Sequence, residues 1–230
     1  MKNVWLSIAL CALALPLGAR AQTDPALETN LAKFSYALGL QIARNLTQQG
    51  LDRVDAGALA LAVGDVLAGK PPRIAPEAMQ AAAAAIREEV MAQRNAESER
   101  NRSAGEAFLA KNREADGVKV LESGVQYREI KAGTGDQPGA DDTVVVHYRG
   151  KLLDGTEFDS SFGRGEPTEF KVGQVIQGWQ EALKQMRPGA EWEVWIPSDL
   201  AYGERGAGGK IGPHSTLHFS IQLIEVKAGT

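Results

Sequence analysis

The chain has 230 residues, of which 43% are apolar and 23% are charged, and this composition is typical of a folded protein with one or two domains. The formal net charge is −4 at pH 7, and it is −6 without the first 21 residues, which carry Lys2 and Arg20. A mildly acidic chain lacks the clustered positive charge that binds nucleic acid or anionic membranes, so neither is an expected partner.

The first 21 residues have the pattern of a secretory signal. Lys2 precedes an apolar run over residues 4–17, and small residues frame a cleavage site at 19–21. The run is shorter than the roughly 20 residues that span a bilayer. We therefore expect residues 1–21 to be removed, and the mature chain to begin at Gln22 without an integral membrane segment. The expected location of the exported protein is the periplasm, with outer-membrane association or secretion as alternatives.

The apolar residues between positions 25 and 116 recur with the period of a helix. One stripe on the first predicted helix, which ends near Gly50, consists of Leu27, Leu31, Phe34, Leu38, Ile42 and Leu46. A second helix is predicted from its N-cap Asp55 to Ala68, and Gly69 stops it. The stripe needs an apolar partner. It either mediates self-association or packs into a small three-helix bundle within one chain, and the pattern leaves both open.

A third predicted helix begins at Pro76, because the N–H that proline lacks has no partner in a first helical turn. Residues 93–102 are almost entirely polar, and a helix that is polar all round is not buried in a core. We therefore predict that residues 76–116 form a spacer that crosses solvent. It would join a helical dimerisation module at residues 22–75 to a domain at residues 117–230.

The last of these segments changes to a period of two. Alternating apolar residues predict half-buried antiparallel strands around Val144, Trp192 and Leu217. Asp-Gly at 154–155 predicts a hairpin, because both residue types tolerate positive φ. One short helix interrupts the strands, and its apolar face consists of Trp179, Ala182, Leu183 and Met186. A single helix on a curved antiparallel sheet gives an α+β domain.

Six short motifs follow one another in this domain. They are Val-His-Tyr-Arg-Gly at 146–150, Asp-Gly at 154–155, Phe-Asp-Ser-Ser at 158–161, Val-Ile-Gln-Gly-Trp at 175–179, Ala-Tyr-Gly at 201–203 and Ile-Gly-Pro-His at 211–214. Together they resemble the FKBP family of peptidyl-prolyl cis-trans isomerases. The resemblance implies an enzyme that accelerates rotation about X-Pro bonds, with polypeptides as substrates and with no cofactor or metal.

The chemistry of that reaction suits an apolar pocket. Rotation about the peptide bond crosses about 18–20 kcal/mol and breaks no bond, so a catalyst can act by binding the twisted amide better than either planar form. The resemblance implies that Trp179 is the floor of the pocket. It implies walls formed by Tyr148, Phe158, Val175, Ile176 and Phe219.

The same resemblance implies polar roles at the rim. Ile176 would also present its backbone N–H to the substrate carbonyl, and Asp159 would orient polar groups. Tyr202 would donate a hydrogen bond to the ligand, and Ile211 would lie in an overhanging loop. Strict strand alternation sends Phe158 and Asp159 to opposite faces, and a β-bulge there would let both approach the pocket.

Three rim positions depart from the family's usual pattern. Thr168 stands where an aromatic residue is frequent, and Ala207 and Lys210 stand in the overhanging loop where bulkier or apolar groups are frequent. We expect isomerase activity to persist. Macrolide ligands, which the family binds, are expected partners as well, but this rim suits them less. The alternative is a binding module that keeps the fold without useful catalysis.

The helical half adds a second resemblance. Phe-Ser-Tyr-Ala-Leu-Gly at 34–39 and the alanine run at 81–85, behind a secretion signal, are similar to the Mip/FkpA branch of bacterial FKBPs. This resemblance implies a V-shaped homodimer that holds two isomerase domains apart on spacer helices. The expected function is isomerisation during the folding of exported proteins, with chaperone activity from the dimeric helical module.

Overall fold

The structure is a computed structural model that describes residues 27–48, 51 and 53–229. The predicted signal at 1–21 and its cleavage point lie outside the described residues. The chain divides into two compact units, one that ends at Arg53 and one that begins at Val54. No helix in the described part of the chain is long and apolar enough to cross a membrane.

The first unit contains helix α1, Asn30–Gln48. Thr29 precedes it and caps its first turn, since the Thr29 hydroxyl accepts a 3.1 Å hydrogen bond from the Ala32 amide. No residue of α1 is buried. Leu31 and Phe34 of the predicted stripe are 75% and 62% exposed. The apolar stripe is therefore exposed along the helix.

The second unit begins with helix α2, Ala56–Leu67. The predicted N-cap is confirmed, because the Asp55 carboxylate accepts a 2.9 Å hydrogen bond from the Ala58 amide. The predicted stop is confirmed as well, and Gly69 adopts a φ of 65° just beyond the helix. The only buried residue of α2 is Asp65. Its carboxylate forms a two-bond ion pair with Arg73, which ties the helix to the turn that follows.

Helix α3 is a single continuous helix, Pro76–Asn112. Its first half is exposed, as expected for a spacer. The expectation that the helix crosses solvent was wrong for the second half, which docks on the domain at residues 117–229, hereafter the sheet domain. The Gln126 side chain donates a 2.8 Å hydrogen bond to the Leu109 carbonyl, and the Phe108 ring lies 6.4 Å from that of Trp195.

The reason for this difference is the chemistry of the contact. Helix α3 contacts the sheet domain through hydrogen bonds of polar side chains and through the backbone of Gly105, which approaches closely. Phe108 adds one aromatic contact. A search for an apolar helical stripe does not detect such a surface. Trp195 lies on the face of its strand opposite to the main core. It is buried there, with Phe108 of α3 beside it.

The sheet domain has seven strands, and all paired strands are antiparallel. They are β1 (Val118–Val120), β2 (Gln126–Lys131), β3 (Thr143–Leu152), β4 (Glu157–Ser160), β5 (Thr168–Lys171), β6 (Glu191–Ile196) and β7 (Leu217–Lys227). The order is β1-β2-β6-β7-β3-β4, and β5 pairs with the other end of β3. Strands β4 and β5 therefore follow each other along one edge of β3. The predicted α+β architecture is confirmed.

The core lies between this sheet and helix α4, Gln177–Leu183. The predicted apolar face of that helix is buried, as are the alternating residues of β3, β6 and β7. A side chain at Gly178 would collide with Ile196, so glycine lets α4 lie directly against β6. This close packing places Trp179 at the centre of the core. The predicted hairpin is also present, with Gly155 at a φ of 89° between β3 and β4.

Candidate active site

A cavity of about 360 Å³ opens between α4, the edge strands and the segment after β6. Its lining residues are Tyr148, Phe158, Asp159, Phe170, Gln174, Val175, Ile176, Trp179, Tyr202 and Phe219. Eight of the nine predicted site residues are therefore brought together. They come from strands β3, β4 and β7, from α4 and from loops that are distant in sequence, and the fold assembles them around α4.

The floor of the cavity is the indole of Trp179, which is 4% exposed. Three rings meet it edge to face, and their centroids lie 5.3 Å (Tyr148), 5.6 Å (Phe170) and 5.2 Å (Phe219) from that of Trp179. Perpendicular aromatic pairs of this kind stabilise a packing geometry beyond the area they bury. The floor is therefore held rigidly from three sides.

A β-bulge is present in β4. Asp159 pairs with Gly150 and Glu157 pairs with Lys151, so the residue between them is an extra one in the ladder. Phe158 and Asp159 both line the cavity as a result. Gly150 contributes by having no side chain. A Cβ at this position would collide with the rings of Phe158 and Phe219.

A hydrogen-bond network surrounds the carboxylate of Asp159. The Tyr148 hydroxyl donates to one carboxylate oxygen at 2.5 Å, and Arg164 donates to the other at 2.8 Å. The same guanidinium donates to the Tyr148 and Thr168 hydroxyls, both at 3.0 Å. Thr168, where the family often has an aromatic residue, thus anchors an arginine that the sequence analysis did not single out.

This network sets the protonation states at the rim. Burial raises the pKa of Asp159, but the hydrogen bonds from Tyr148 and Arg164 outweigh it, and the net pKa is lowered. Burial, and then the hydrogen bond to Asp159, raise the pKa of Tyr148. Burial and the negative charge of Asp159 raise the pKa of Tyr202. At neutral pH the carboxylate is charged and both phenols keep their protons, so Tyr202 remains a donor.

Two further expectations concern the backbone and the overhanging loop. The Ile176 carbonyl accepts bonds from the first turn of α4, while its amide donates no hydrogen bond within the described residues. Ile211 belongs to the loop after Tyr202, as expected, but it does not line the cavity. Its side chain packs into the core, and its backbone exchanges two hydrogen bonds with Ala207.

Sequence reasoning missed Phe170 and Gln174, which also line the cavity. Phe170 could have been found from strand alternation, because β5 is a four-residue strand on which Thr168 and Phe170 share a face. Gln174 lies in a short 3-10 turn before α4 and carried no signal of its own.

The arrangement is suited to binding an amide without attacking it. The cavity offers aromatic walls, a backbone amide at Ile176 whose N–H has no partner in the described part of the chain and is free to donate to a ligand, and the phenol of Tyr202 as a second donor. Ser161, a nearby hydroxyl, serves the backbone instead, since it accepts a 2.8 Å hydrogen bond from the Tyr148 amide. An apolar aromatic site favours the twisted state of an X-Pro bond, which has less charge separation than the planar amide.

Comparisons with known proteins identify the family. Residues 135–224 match the family model of FKBP-type peptidyl-prolyl cis-trans isomerases, and residues 31–128 match that of the domain amino terminal to them. The chain is 42% identical over 231 residues to the outer membrane protein MIP of Legionella longbeachae, which covers 99% of both chains. It is 44% identical over 204 residues to the FKBP-type 22 kDa peptidyl-prolyl cis-trans isomerase of Escherichia coli, covering 89% of this chain and 99% of the relative.

Among solved structures, the crystal structure of FkpA from Escherichia coli is similar over 88% of this chain and 99% of its own, with a TM-score of 0.66 and 35% sequence identity. Two adjoining family models and full-length relatives of this similarity extend the agreement beyond the sheet domain to the helices. The protein therefore belongs to the FKBP-type peptidyl-prolyl cis-trans isomerases, in the branch of Mip and FkpA that carries a helical amino-terminal domain.

Proposed function

We propose that this isomerase acts on X-Pro bonds of unfolded or partly folded exported polypeptides, and that the cavity over Trp179 is where it does so. The observation that carries the proposal is the rigid aromatic floor combined with two oriented donors at the rim. The residues at 1–21 and the relative named as an outer membrane protein support export, with the periplasm as the location.

Each group has a proposed part in the reaction. The proline ring rests on Trp179 between the neighbouring aromatic side chains, and the Ile176 amide donates to a substrate carbonyl. Tyr202 donates a second bond at the rim. Asp159 fixes Tyr148 and Arg164, so the walls do not relax when the substrate twists. Catalysis follows because these contacts fit the twisted amide better than either planar form.

The test replaces the polar groups and follows cis-to-trans isomerisation of a short X-Pro peptide. Asp159→Asn and Tyr202→Phe should each lower kcat/KM about tenfold or more, since each removes a preorganised polar group from the site. Asp136→Asn, a change at an exposed carboxylate, is the control and should have no effect. Full activity in both site variants would overturn the assigned roles. Absence of activity in the unaltered chain would instead support the binding-module alternative.

The pH profile gives an independent check. A lowered pKa means that the charged Asp159 network is intact above the ordinary carboxylate value and is lost only as the pH falls through that lowered pKa. Activity should therefore stay level between about pH 5 and pH 8. A titration of activity near neutral pH would contradict the assignment of Asp159.

A second activity is proposed for the helical half, namely dimerisation and the holding of unfolded clients. The exposed stripe on α1 supports it, because apolar side chains such as Phe34 and Leu38 are otherwise left in water. Two sites on one dimeric scaffold raise the effective concentration for a long client chain.

This proposal predicts a dimer that a single charge disrupts. Light scattering of the chain from Gln22 should give twice the monomer mass, whereas Leu38→Glu should give the monomer mass and lose suppression of client aggregation. Lys33→Glu, on the polar side of the same helix, should remain dimeric. Activity toward a short peptide should be unchanged in both. A monomeric unaltered chain would refute the proposal.

Macrolide ligands of the family are proposed to occupy the same cavity. Their entry passes a rim that is more polar than usual, since Thr168 binds Arg164 and the Lys210 ammonium donates a 3.3 Å bond to the Phe158 carbonyl.

A further inference from the structure

Helix α3 holds the loop that carries the rim of the cavity. This loop, residues 203–214, begins directly after Tyr202. The Arg94 guanidinium donates to the carbonyls of Glu204 and Arg205, at 3.0 Å and 2.9 Å. The Asn101 amide donates a 2.8 Å bond to the Pro213 carbonyl. One helix therefore binds both ends of the loop.

Glycines make this contact close. A Cβ at Gly105, which is buried in α3, would collide with the Thr216 hydroxyl. A Cβ at Gly212 in the loop would lie 2.2 Å from the Glu97 carboxylate and 3.0 Å from the Asn101 side-chain amide, so these side chains would have to shift. Glycine within a helix costs about 1 kcal/mol relative to alanine. At position 105 the missing side chain offsets this cost, because it allows the helix backbone to lie directly on the sheet domain.

The loop itself is closed by its own hydrogen bonds. Ala207 and Ile211 exchange two backbone bonds, at 2.9 Å and 3.0 Å, and the His214 amide donates to the Gly203 carbonyl at 2.9 Å. A displacement at one end of such a unit is passed to the other end. The residue next to Gly203 is Tyr202, so the anchoring of the loop determines where this residue stands.

Tyr202 depends on that anchoring more than the other cavity residues do. Its side chain is 40% exposed, and its hydroxyl has no hydrogen-bond partner among the described residues. Trp179 and Tyr148, in contrast, are buried and held by neighbouring rings. The position of the phenol over the cavity is therefore set largely by the backbone that precedes the loop.

We propose that Arg94 is a positioning residue of the isomerase site, which acts with Asn101 through the 203–214 loop on Tyr202. Helix α3 is then a part of the active-site structure and not only a connection. The inference rests on the proposed role of Tyr202 as a donor to the substrate. It assigns a function to polar residues that otherwise look like an ordinary solvated helix face.

The experiment compares Arg94→Ala, Tyr202→Phe and the double variant in the chain from Gln22, with a short X-Pro peptide as substrate. Arg94→Ala should lower kcat/KM about fivefold or more, because a small misplacement of a positioned group reduces catalysis strongly. In the Tyr202→Phe background it should cause less than about a twofold further loss, since coupled residues are not additive. Arg94→Lys, which keeps a cationic donor, should recover at least half of the activity.

Two controls separate positioning from general destabilisation. Arg100→Ala, an exposed arginine on the same helix, should leave activity unchanged. Thermal unfolding of Arg94→Ala should match that of the unaltered chain. Full activity in Arg94→Ala, or equal losses with and without Tyr202, would overturn the inference. Full activity in Tyr202→Phe would overturn the proposed role of Tyr202 itself, which distinguishes the two failures.

Discussion

Trp179→Ala is expected to abolish measurable isomerase activity and to lower the free energy of unfolding of the sheet domain by about 3–5 kcal/mol. The indole is almost completely buried and contacts Tyr148, Phe170 and Phe219, so its removal leaves a void beneath three rings at once. Urea denaturation followed by far-ultraviolet circular dichroism measures the stability change. Peptide isomerisation at a temperature where the variant is folded measures the activity.

A matched tryptophan separates the two effects. Trp192 is equally buried and stacks on Tyr127 at 4.1 Å, but it does not line the cavity. Trp192→Ala should lose comparable stability and retain most of its activity while folded. Equal activity in the two folded variants would show that the floor of the cavity has no special part in the reaction.

Gly150→Ala is expected to lower kcat/KM about tenfold or more, since the aromatic walls would have to move from the positions that hold the substrate. The added methyl would collide with the rings of Phe158 and Phe219, which meet edge to face at 5.6 Å. The cost in stability should be about 1–3 kcal/mol, as for other overpacked sites. Isomerisation kinetics and urea denaturation check both numbers.

Gly163→Ala is the control for that change. It lies close by in the chain, has open space around it and carries no positive φ. Its activity and stability should equal those of the unaltered protein. Unchanged activity in Gly150→Ala would mean that the two rings can shift without affecting the substrate.

Much of the sheet domain was predictable because its local signals agree with its tertiary contacts. The alternation in β3, β6 and β7 coincides with burial on one face, and the Asp-Gly turn lies where its conformation requires it. The cavity lining was predictable only through the family's motifs. Composition and periodicity alone describe Tyr148 and Trp179 as ordinary core residues.

Other features depend on contacts that no local pattern encodes. Arg164 reaches Asp159 and Tyr148 across a short 3-10 turn, and its position in the sequence gives no sign of that. Ile211 follows the family's loop motif but turns inward, because the loop closes on itself through Ala207. The docking of α3 was missed because polar side chains and Gly105 mediate it.

The fit between Gly105 and the sheet domain bears on how such proteins diversify. A domain joined by a free linker can be exchanged between genes at the linker without further change. Here Gly105 of α3 leaves room for the Thr216 hydroxyl, and Gly212 lies close to the side chains of Glu97 and Asn101. Recombination that separates residues 94–112 from residues 117–229 would bring mismatched surfaces together. The two segments are therefore expected to be inherited as one evolutionary unit, with the joint that tolerates exchange lying earlier in the helix.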